Sequence, residues 1–337
     1  MRVFLVILSL LWVPVLPAAK NMEVFFIDVE GGQATLFVSP AGESMLVDTG
    51  WAGFDGRDAN RIAAAAKHAG VKKIDYLVIT HYHADHVGGV AQLAAKLPIH
   101  NFVDHGPNNE TGKQADQLYG NYMETQQKFG KHLVVKPGDT IPVKGLNVRV
   151  LSANGDVIAS PLEGAGQPNN YCASFQAKPE DKTENARSTG TLITFGKFRI
   201  IDLGDLTWNK EHDLVCPNNK IGKVDVYLTT HHGMNISGPA CIVDALHPKV
   251  AIMNNGARKG GTVEAWQTIH NSPGLEDIWQ VHYAIAGGKE NNVPDTFIAN
   301  VDEQCEGKYI QLTVMPDGSF TVTNSRNKFS KTYKASE

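Results

Sequence analysis

The sequence predicts an α/β fold, because strand-like and helix-like segments alternate along most of its 337 residues. One apolar, β-branched run at 74–79 is typical of a buried strand, and a helix-like stretch follows at 90–95. The turn between them is dense in histidine and aspartate. It lies at the carboxyl end of the predicted strand, where open α/β sheets hold their reactive groups.

This turn, Thr80–Gly89, contains four side chains of metal-ligand type within six residues: His81, His83, Asp85 and His86. Burying them without partners would be costly, and a surface turn has no need of so many. Their spacing places imidazoles and a carboxylate close together, which is the ligand mixture that zinc and similar divalent ions favour. The motif therefore predicts a metal site rather than a packing feature.

The remaining elements are predicted from hydrophobic periodicity and from glycine- and proline-rich turns. Helices are expected at 57–68, 114–129 and 262–270. Strands are expected at 22–29, 34–39, 44–50, 99–103, 134–135, 148–151, 191–195, 198–202, 224–230, 250–253, 278–283, 297–301, 309–314 and 319–323. We expect 160–170 to be a loop and 179–187 to be exposed.

Further polar candidates stand at the ends of other predicted strands. Asp48 ends the third strand, and Asp205 follows a hairpin, where Asp202 is its local competitor. His231 and His232 follow the strand at 224–230. We favour His231 as a metal ligand, since like His81 it directly follows its strand; His232 is the alternative ligand, or a proton donor beside it.

The first 19 residues contain one arginine, an apolar run and a small-residue end, which is typical of a secretory signal peptide cleaved near Ala19. A membrane anchor is the alternative, although the run is short for a span. No later stretch is long and apolar enough to cross a bilayer, so no membrane span is expected after cleavage. The location is expected to be secreted or periplasmic.

The chain has four cysteines, which are Cys172, Cys216, Cys241 and Cys305. An even number in an exported chain predicts two disulfides, with three possible pairings. Reduced structural cysteines are expected if the chain is not exported. The formal net charge is −4, and no basic run of the kind that grips nucleic acid is present. Composition therefore favours a small-molecule or phosphodiester substrate over long nucleic acid, and it leaves the oligomeric state open.

Together with Asp48, Asp205 and His231, the motif resembles the metal site of the metallo-β-lactamase-fold hydrolases. The resemblance implies a four-layer αβ/βα sandwich, in one domain over 20–337 with inserted loops and C-terminal strands. It also implies two divalent ions. His81, His83 and Asp205 would hold one ion, and Asp85, His86, Asp205 and His231 would hold the other. Asp48 would support the metal-binding loop through hydrogen bonds.

The sequence departs from this pattern at one position. Many members of the family have a further histidine between His86 and Asp205, and here the segment 185–190 occupies that place. This variant resembles the hydrolase domain of bacterial DNA-uptake channel (competence) proteins. Ser188 or water would fill the gap, so the half built on His81 and His83 is expected to bind metal more weakly.

The resemblance implies water activated between the two metals. Zinc is the default ion, while manganese and iron accept the same ligands. We expect a hydrolase of phosphate esters or phosphodiesters; the alternatives are a lactone or β-lactam-type amide hydrolase, or a non-catalytic metal-binding protein. Asp85 and His232 are the candidate catalytic residues. His105, Ser188 and His282 are candidates on the substrate side, although His105 could be a turn residue and His282 a packed one.

Overall fold

The computed structural model describes residues 20–335, so the predicted signal peptide lies outside the described residues. The helices and strands of the first half are β1 (Met22–Phe26), β2 (Thr35–Val38), β3 (Ser44–Val47), α1 (Arg57–His68), β4 (Ile74–Val78), α2 (Ala84–Val87), α3 (Val90–Ala94), β5 (Ile99–Asp104), α4 (Lys113–Phe129) and β6 (Lys131–Val134).

Short strands and a hairpin open the second half, which then continues as strand–helix units and ends in a group of strands. Its elements are β7 (Thr140–Ile141), β8 (Asn147–Ala153), β9 (Asp156–Val157), β10 (Gly190–Phe195), β11 (Phe198–Asp202), α5 (Trp208–Val215), β12 (Val226–Leu228), α6 (Ala240–Leu246), β13 (Val250–Met253), α7 (Val263–His270), β14 (Asp277–His282), β15 (Ile298–Asn300), β16 (Ile310–Val314), β17 (Phe320–Asn324) and β18 (Ser330–Tyr333).

Two sheets of nine strands each form the framework. The first has the order β18-β17-β16-β1-β2-β3-β4-β5-β6, and the second has the order β15-β14-β13-β12-β11-β10-β8-β7, with β9 paired to β8. Strands β3 to β6 are parallel to one another. Strands β11 to β15 are also parallel. Each sheet therefore has a set of strands whose carboxyl ends share one edge.

Side chains that alternate along these strands divide into three buried clusters. Val24 of β1 and Val226 of β12 belong to a core between the two sheets. Phe25 faces the opposite way and packs with the helices α1, α3 and α4. Tyr227 likewise faces α5, α6 and α7 on the far side of the second sheet. Helices thus cover the outer face of each sheet, and the predicted four-layer αβ/βα sandwich is confirmed.

The expectation of two disulfides is corrected to one. Cys172 and Cys216 are bonded, whereas Cys241 is free and buried and Cys305 is free and half-buried. Cys241 belongs to α6 and faces the core, and Cys305 contacts the loop after β1. An even number of cysteines therefore does not mean that all of them form disulfides in this protein. Across residues 20–335, no helix is both long and apolar enough to cross a membrane.

Candidate metal centre

The parallel strands of both sheets deliver the candidate residues to one place. Asp48 directly follows β3, and the His/Asp motif follows β4, its neighbour in the first sheet. Asp205 follows β11 and the two histidines follow β12, its neighbour in the second sheet. Backbone hydrogen bonds join these turns: His231 N–H donates to Gly204 O at 2.9 Å, and Thr49 N–H donates to His86 O at 2.7 Å.

Four buried side chains converge so that one donor atom of each lies within 4.8 Å of the others: Asp85, His86, Asp205 and His232. His86 Nε2 lies 3.2 Å from Asp85 Oδ2 and 3.3 Å from Asp205 Oδ2. His232 Nε2 lies 3.3 Å from Asp85 Oδ2 and 3.3 Å from Asp205 Oδ1. The two imidazoles and two carboxylates therefore alternate around a common centre.

This four-residue cluster fits a divalent ion in two respects. First, His86 Nε2, His232 Nε2 and Asp205 Oδ1 are buried and make no hydrogen bond, which is costly unless another partner binds them. Second, a tetrahedral site with bonds of about 2.0 Å, as zinc forms with imidazole and carboxylate, separates its ligand atoms by about 3.3 Å. The four nitrogen–oxygen distances between the imidazoles and the carboxylates, 3.2–3.3 Å, match that value.

Charge in the cluster is arranged to suit a cation. Burial raises the pKa of Asp205, but the charges of His86 and His232 outweigh it and hold that pKa well below its usual range. Asp85 behaves in the same way, with burial opposed by His86 and His232. Burial lowers the pKa of His81 well below its usual value, and the charge of His86 adds to this effect. The carboxylates are therefore ionised and His81 is neutral, which are the forms that bind metal. Burial lowers the pKa of His86, but the charges of Asp205, Asp85 and Asp48 outweigh it and raise that pKa well above its usual value, so a bound cation would have to displace a proton from His86.

Asp48 holds His86 from behind. His86 Nδ1 donates to Asp48 Oδ2 at 2.7 Å, so Nε2 is the nitrogen left to face the four-residue cluster. Asp48 also accepts hydrogen bonds from the backbone N–H and the hydroxyl of Thr80, at 2.8 and 2.7 Å. A carboxylate in this position fixes the tautomer and the ring orientation of a ligand histidine. Asp48 thus joins Thr80 and His86, at the two ends of the motif, through hydrogen bonds.

The structure distinguishes His231 from His232. Both adopt left-handed backbone conformations, with φ of 55° and 57°, and each such residue costs about 1–3 kcal/mol. The four-residue cluster includes His232. The sequence alone favours His231 as the ligand. His231 lies beside the cluster, with Nε2 3.2 Å from Asp205 Oδ2 and Nδ1 hydrogen-bonded to Ser237 at 3.2 Å. Burial lowers the pKa of His231 to about 4, so its imidazole is neutral.

The half built on His81 and His83 is more open. Their rings lie 4.6 Å apart, and the buried Nε2 of His81 has no hydrogen-bond partner. His83 Nε2 instead contacts Glu110 Oε1 at 3.1 Å. Ser188 is in the region expected for the missing family histidine, with Oγ 3.5 Å from His81 Nδ1. The structure therefore brings His81 to the edge of the cluster but leaves His83 turned toward Glu110.

Two of the candidates on the substrate side are held elsewhere. His105 is buried, and its Nε2 contacts Glu184 Oε2 at 3.0 Å. His282 is also buried, and its Nε2 contacts Asp28 Oδ1 at 2.8 Å. Neither contact involves the four-residue cluster. Ser188 alone of the three touches it, accepting a hydrogen bond from Asp205 N–H at 3.3 Å.

Lys259 is the main site residue that sequence reasoning missed. Its ammonium forms an ion pair with Asp85 and lies 5.4 Å from the ring centre of Trp51. It stands in the loop after β13, the next parallel strand after β12. The strand-end rule that identified Asp205 and His231 could have pointed to this loop, but its glycine-rich sequence gives no spacing motif.

A cleft of about 560 Å³ borders the metal centre at His83 and Asp85, and Trp51, Glu110 and Lys113 also line it. This volume lies within the usual range for small-molecule sites. A larger cleft of about 1020 Å³ lies elsewhere, around 164–171 and Arg199. It contains none of the candidate metal ligands, so the smaller cleft is the better candidate for substrate.

Glu211 supports the segment that follows the two histidines, and its burial predicts a pH dependence of stability. Its Oε2 accepts a hydrogen bond from Gly238 N–H at 2.6 Å, and burial raises its pKa from 4.5 to about 8. Folding therefore favours the protonated acid. The protonated acid therefore adds to the free energy of unfolding, on the order of a few kcal/mol. This stabilisation is complete below pH 4.5 and is lost as the pH rises through 8.

Glu211→Gln keeps the shape of the acid but cannot ionise. We expect the unfolding free energy of the parent to fall relative to this variant between pH 5 and 9, as measured by denaturant titration across that range. Parallel curves for the two proteins would refute the assignment.

Part of the chain is similar to a known protein family. The family model of the metallo-β-lactamase superfamily matches residues 27–163, which include the motif after β4. Among solved structures, the metallo-β-lactamase fold protein YhfI from Bacillus subtilis aligns with a TM-score of 0.49 at 12% identity. That alignment covers 77% of this chain and 96% of that protein.

Curated relatives match over shorter segments. Hydroxyacylglutathione hydrolase from Rhodopseudomonas palustris (strain HaA2) is 36% identical over 107 residues, which are 32% of this chain and 35% of that protein. ComE operon protein 3 from Bacillus subtilis (strain 168) is 27% identical over 194 residues, which are 56% of this chain and 20% of that protein. The chain thus spans about a third or less of the length of these two relatives. Residues 27–163 are thus similar to the metallo-β-lactamase superfamily. The sandwich of two sheets, with its donors at the strand ends, is compatible with that similarity.

Proposed function

We propose that this protein is a metal-dependent hydrolase of small phosphate esters, with phosphodiesters as its preferred class. The observation that carries the proposal is the four-residue cluster of Asp85, His86, Asp205 and His232 with an ammonium beside it. The cluster supplies the donors for a divalent ion. Lys259 supplies a positive charge at its rim, where an anionic substrate would otherwise meet two carboxylates.

The protein side of the centre divides into two ligand sets. Asp85, His86, Asp205 and His232 would hold one ion, and His81, His83 and Asp205 would hold a second, weaker one. Zinc is the default for these donors, and manganese and iron suit them as well. Divalent ions held here would lower the pKa of water and polarise the scissile group.

The chain's own groups would then bind and orient the reactants. Lys259 is paired with Asp85 in this structure, and its ammonium could bind phosphate oxygens of a substrate at this rim of the centre. Trp51, beside that ammonium, forms an apolar wall of the cleft. Asp85 retains a second carboxylate oxygen that can accept the proton of an attacking water. His231, neutral and held by Ser237, can accept a proton next to Asp205.

The size of the cleft and the acidic chain favour a small substrate. A volume of about 560 Å³ suits a nucleotide-sized or headgroup-sized molecule, and the formal net charge of −4 disfavours long polyanions. We also propose a secreted or periplasmic location. The Cys172–Cys216 disulfide supports it, since such bonds persist in oxidising compartments.

The direct test is turnover by the metal-loaded protein on bis-(p-nitrophenyl) phosphate, compared with a panel of lactones and thiolesters. We expect clear phosphodiester hydrolysis. Lys259→Met should raise KM for the phosphodiester about 10- to 100-fold, because one charge-assisted hydrogen bond is worth about 1.5–3 kcal/mol. Lys67→Met, at an exposed lysine near the end of α1, is the matched control and should leave KM unchanged.

Acyl-ester or lactone hydrolysis is the second candidate, and one observation favours it. Relatives named hydroxyacylglutathione hydrolase match at 36% identity over 107 residues. Lactone or thiolester cleavage without phosphodiester turnover would reverse the ranking. Bound metal with no turnover of any substrate class would instead support a non-catalytic metal-binding protein.

A further inference from the structure

A second cluster of metal-ligand side chains lies away from the proposed hydrolytic centre. Its members come from three distant parts of the chain: Asp28 and Glu30 follow β1, His282 is the last residue of β14, and Cys305 follows β15. Their donor atoms all lie within 4.8 Å of one another. Asp28 and His282 are fully buried, with 0% exposure, so the cluster is not an accident of the surface.

The contacts bring together three kinds of donor. His282 Nε2 lies 2.8 Å from Asp28 Oδ1 and 3.4 Å from Glu30 Oε2. Cys305 Sγ lies 3.1 Å from Asp28 Oδ2 and 3.8 Å from His282 Nε2. One nitrogen, one sulfur and carboxylate oxygens therefore surround a common point, and this mixture is typical of zinc.

Arg61 provides the outer support that such a site needs. Its Nη1 donates to Asp28 Oδ2 at 2.7 Å and to Glu30 Oε1 at 3.0 Å. The other oxygen of each carboxylate remains directed at His282. With two carboxylates, one thiolate, one arginine and a divalent ion, the formal charges of the site sum to zero. Charge balance of this kind is what a buried ionic group requires.

We propose that Asp28, Glu30, His282 and Cys305 form a structural site for a divalent ion of the zinc class. Binding forms a bond between the metal and Sγ, and the thiol proton is released to solvent. None of these four residues lines the cleft beside the four-residue cluster, so the role is structural rather than catalytic. This proposal stands independently of the proposed hydrolase function.

The location gives the ion a definite task. Glu30 has a left-handed backbone, with φ of 57°, and begins the loop that leads to Gln33. Gln33 N–H donates to Asp85 O at 3.1 Å. A Cβ added at Gly32 would come within 2.4 Å of that same carbonyl oxygen. An ion that fixes Glu30 would therefore fix the loop packed against Asp85 in the four-residue cluster.

Cobalt substitution tests the proposal, because only a thiolate ligand gives Co²⁺ an intense sulfur-to-metal charge-transfer band in the near ultraviolet. The hydrolytic centre contains no cysteine among its candidate ligands, and Cys172 and Cys216 are bonded to each other. We expect the band when Co²⁺ is added to the metal-free, disulfide-intact protein. Absence of the band in the parent at saturating Co²⁺ overturns the proposal, whatever the variants do.

Three variants assign the band. Cys305→Ser should abolish it and lower the bound metal by about one ion per chain. Cys241→Ser, at the other free cysteine, should retain it. Asp205→Asn should retain it while weakening the hydrolytic centre, so failure of one site is distinguishable from failure of the other. A band that persists in Cys305→Ser, or disappears in Cys241→Ser, would contradict the assignment.

Discussion

Asp205→Asn is expected to lower hydrolytic turnover at least about 10³-fold, equivalent to about 4 kcal/mol of transition-state stabilisation. Asp205 contributes both oxygens to the centre: Oδ1 faces His232 at 3.3 Å, and Oδ2 faces His86 and His231 at 3.3 and 3.2 Å. The amide would remove one negative charge and turn an NH₂ group toward an imidazole nitrogen or the metal position. Tight metal binding should be lost with activity.

Asp202→Asn is the matched control for that experiment. Asp202 is buried three residues earlier, and both of its oxygens accept hydrogen bonds from Gln33 Nε2 at 2.8–2.9 Å. Burial raises the pKa of Asp202 to about 6. Asp202 does not belong to the four-residue cluster. Metal content and kcat should therefore change far less than in Asp205→Asn. Equal losses in the two variants would mean that disturbance of the fold, rather than loss of a ligand, explains the effect.

His232→Gln is expected to weaken tight metal binding at least about 100-fold, and His231→Gln by about tenfold. The difference follows from geometry. His232 Nε2 faces both Asp85 and Asp205 and makes no hydrogen bond, so its removal deletes a donor. His231 contacts only Asp205 among these carboxylates and is tethered by Ser237, so its loss resembles loss of a supporting residue.

Competition with a chelator of known affinity measures the metal affinity of the parent and of both histidine variants. The parent, His231→Gln and His232→Gln should rank in that order of decreasing affinity. A larger loss in His231→Gln would restore the assignment that the sequence alone favoured.

Strand ends explain why much of the centre was predictable. Hydrophobic runs gave the positions of β3, β4, β11 and β12, and parallel pairing places their carboxyl ends at one edge. Asp48, Asp205 and the motif could therefore be found without coordinates. The helix expected at 57–68 matches α1, and the strand expected at 44–50 begins where β3 does but ends three residues later than β3.

What the sequence could not give depends on loops and on backbone handedness. The choice between His231 and His232 rests on two consecutive left-handed residues, which no hydrophobic pattern encodes. Lys259 reaches Asp85 across 174 positions of sequence. The sequence leaves His282 as either a substrate-side or a packed residue, and its partner Asp28 is 254 positions away. Cys305 was expected to be in a disulfide, because counting cysteines carries no information on their separation in space.

The central claim is that Asp85, His86, Asp205 and His232 hold a divalent ion. Anomalous diffraction from crystals of the zinc-loaded protein, recorded on both sides of the zinc absorption edge, tests it most directly. We expect a strong anomalous peak among the four donors, about 2.0–2.2 Å from each ligand atom, with Lys259 no longer bound to Asp85. A map with no peak there, and with the Lys259–Asp85 ion pair intact at saturating zinc, would contradict it.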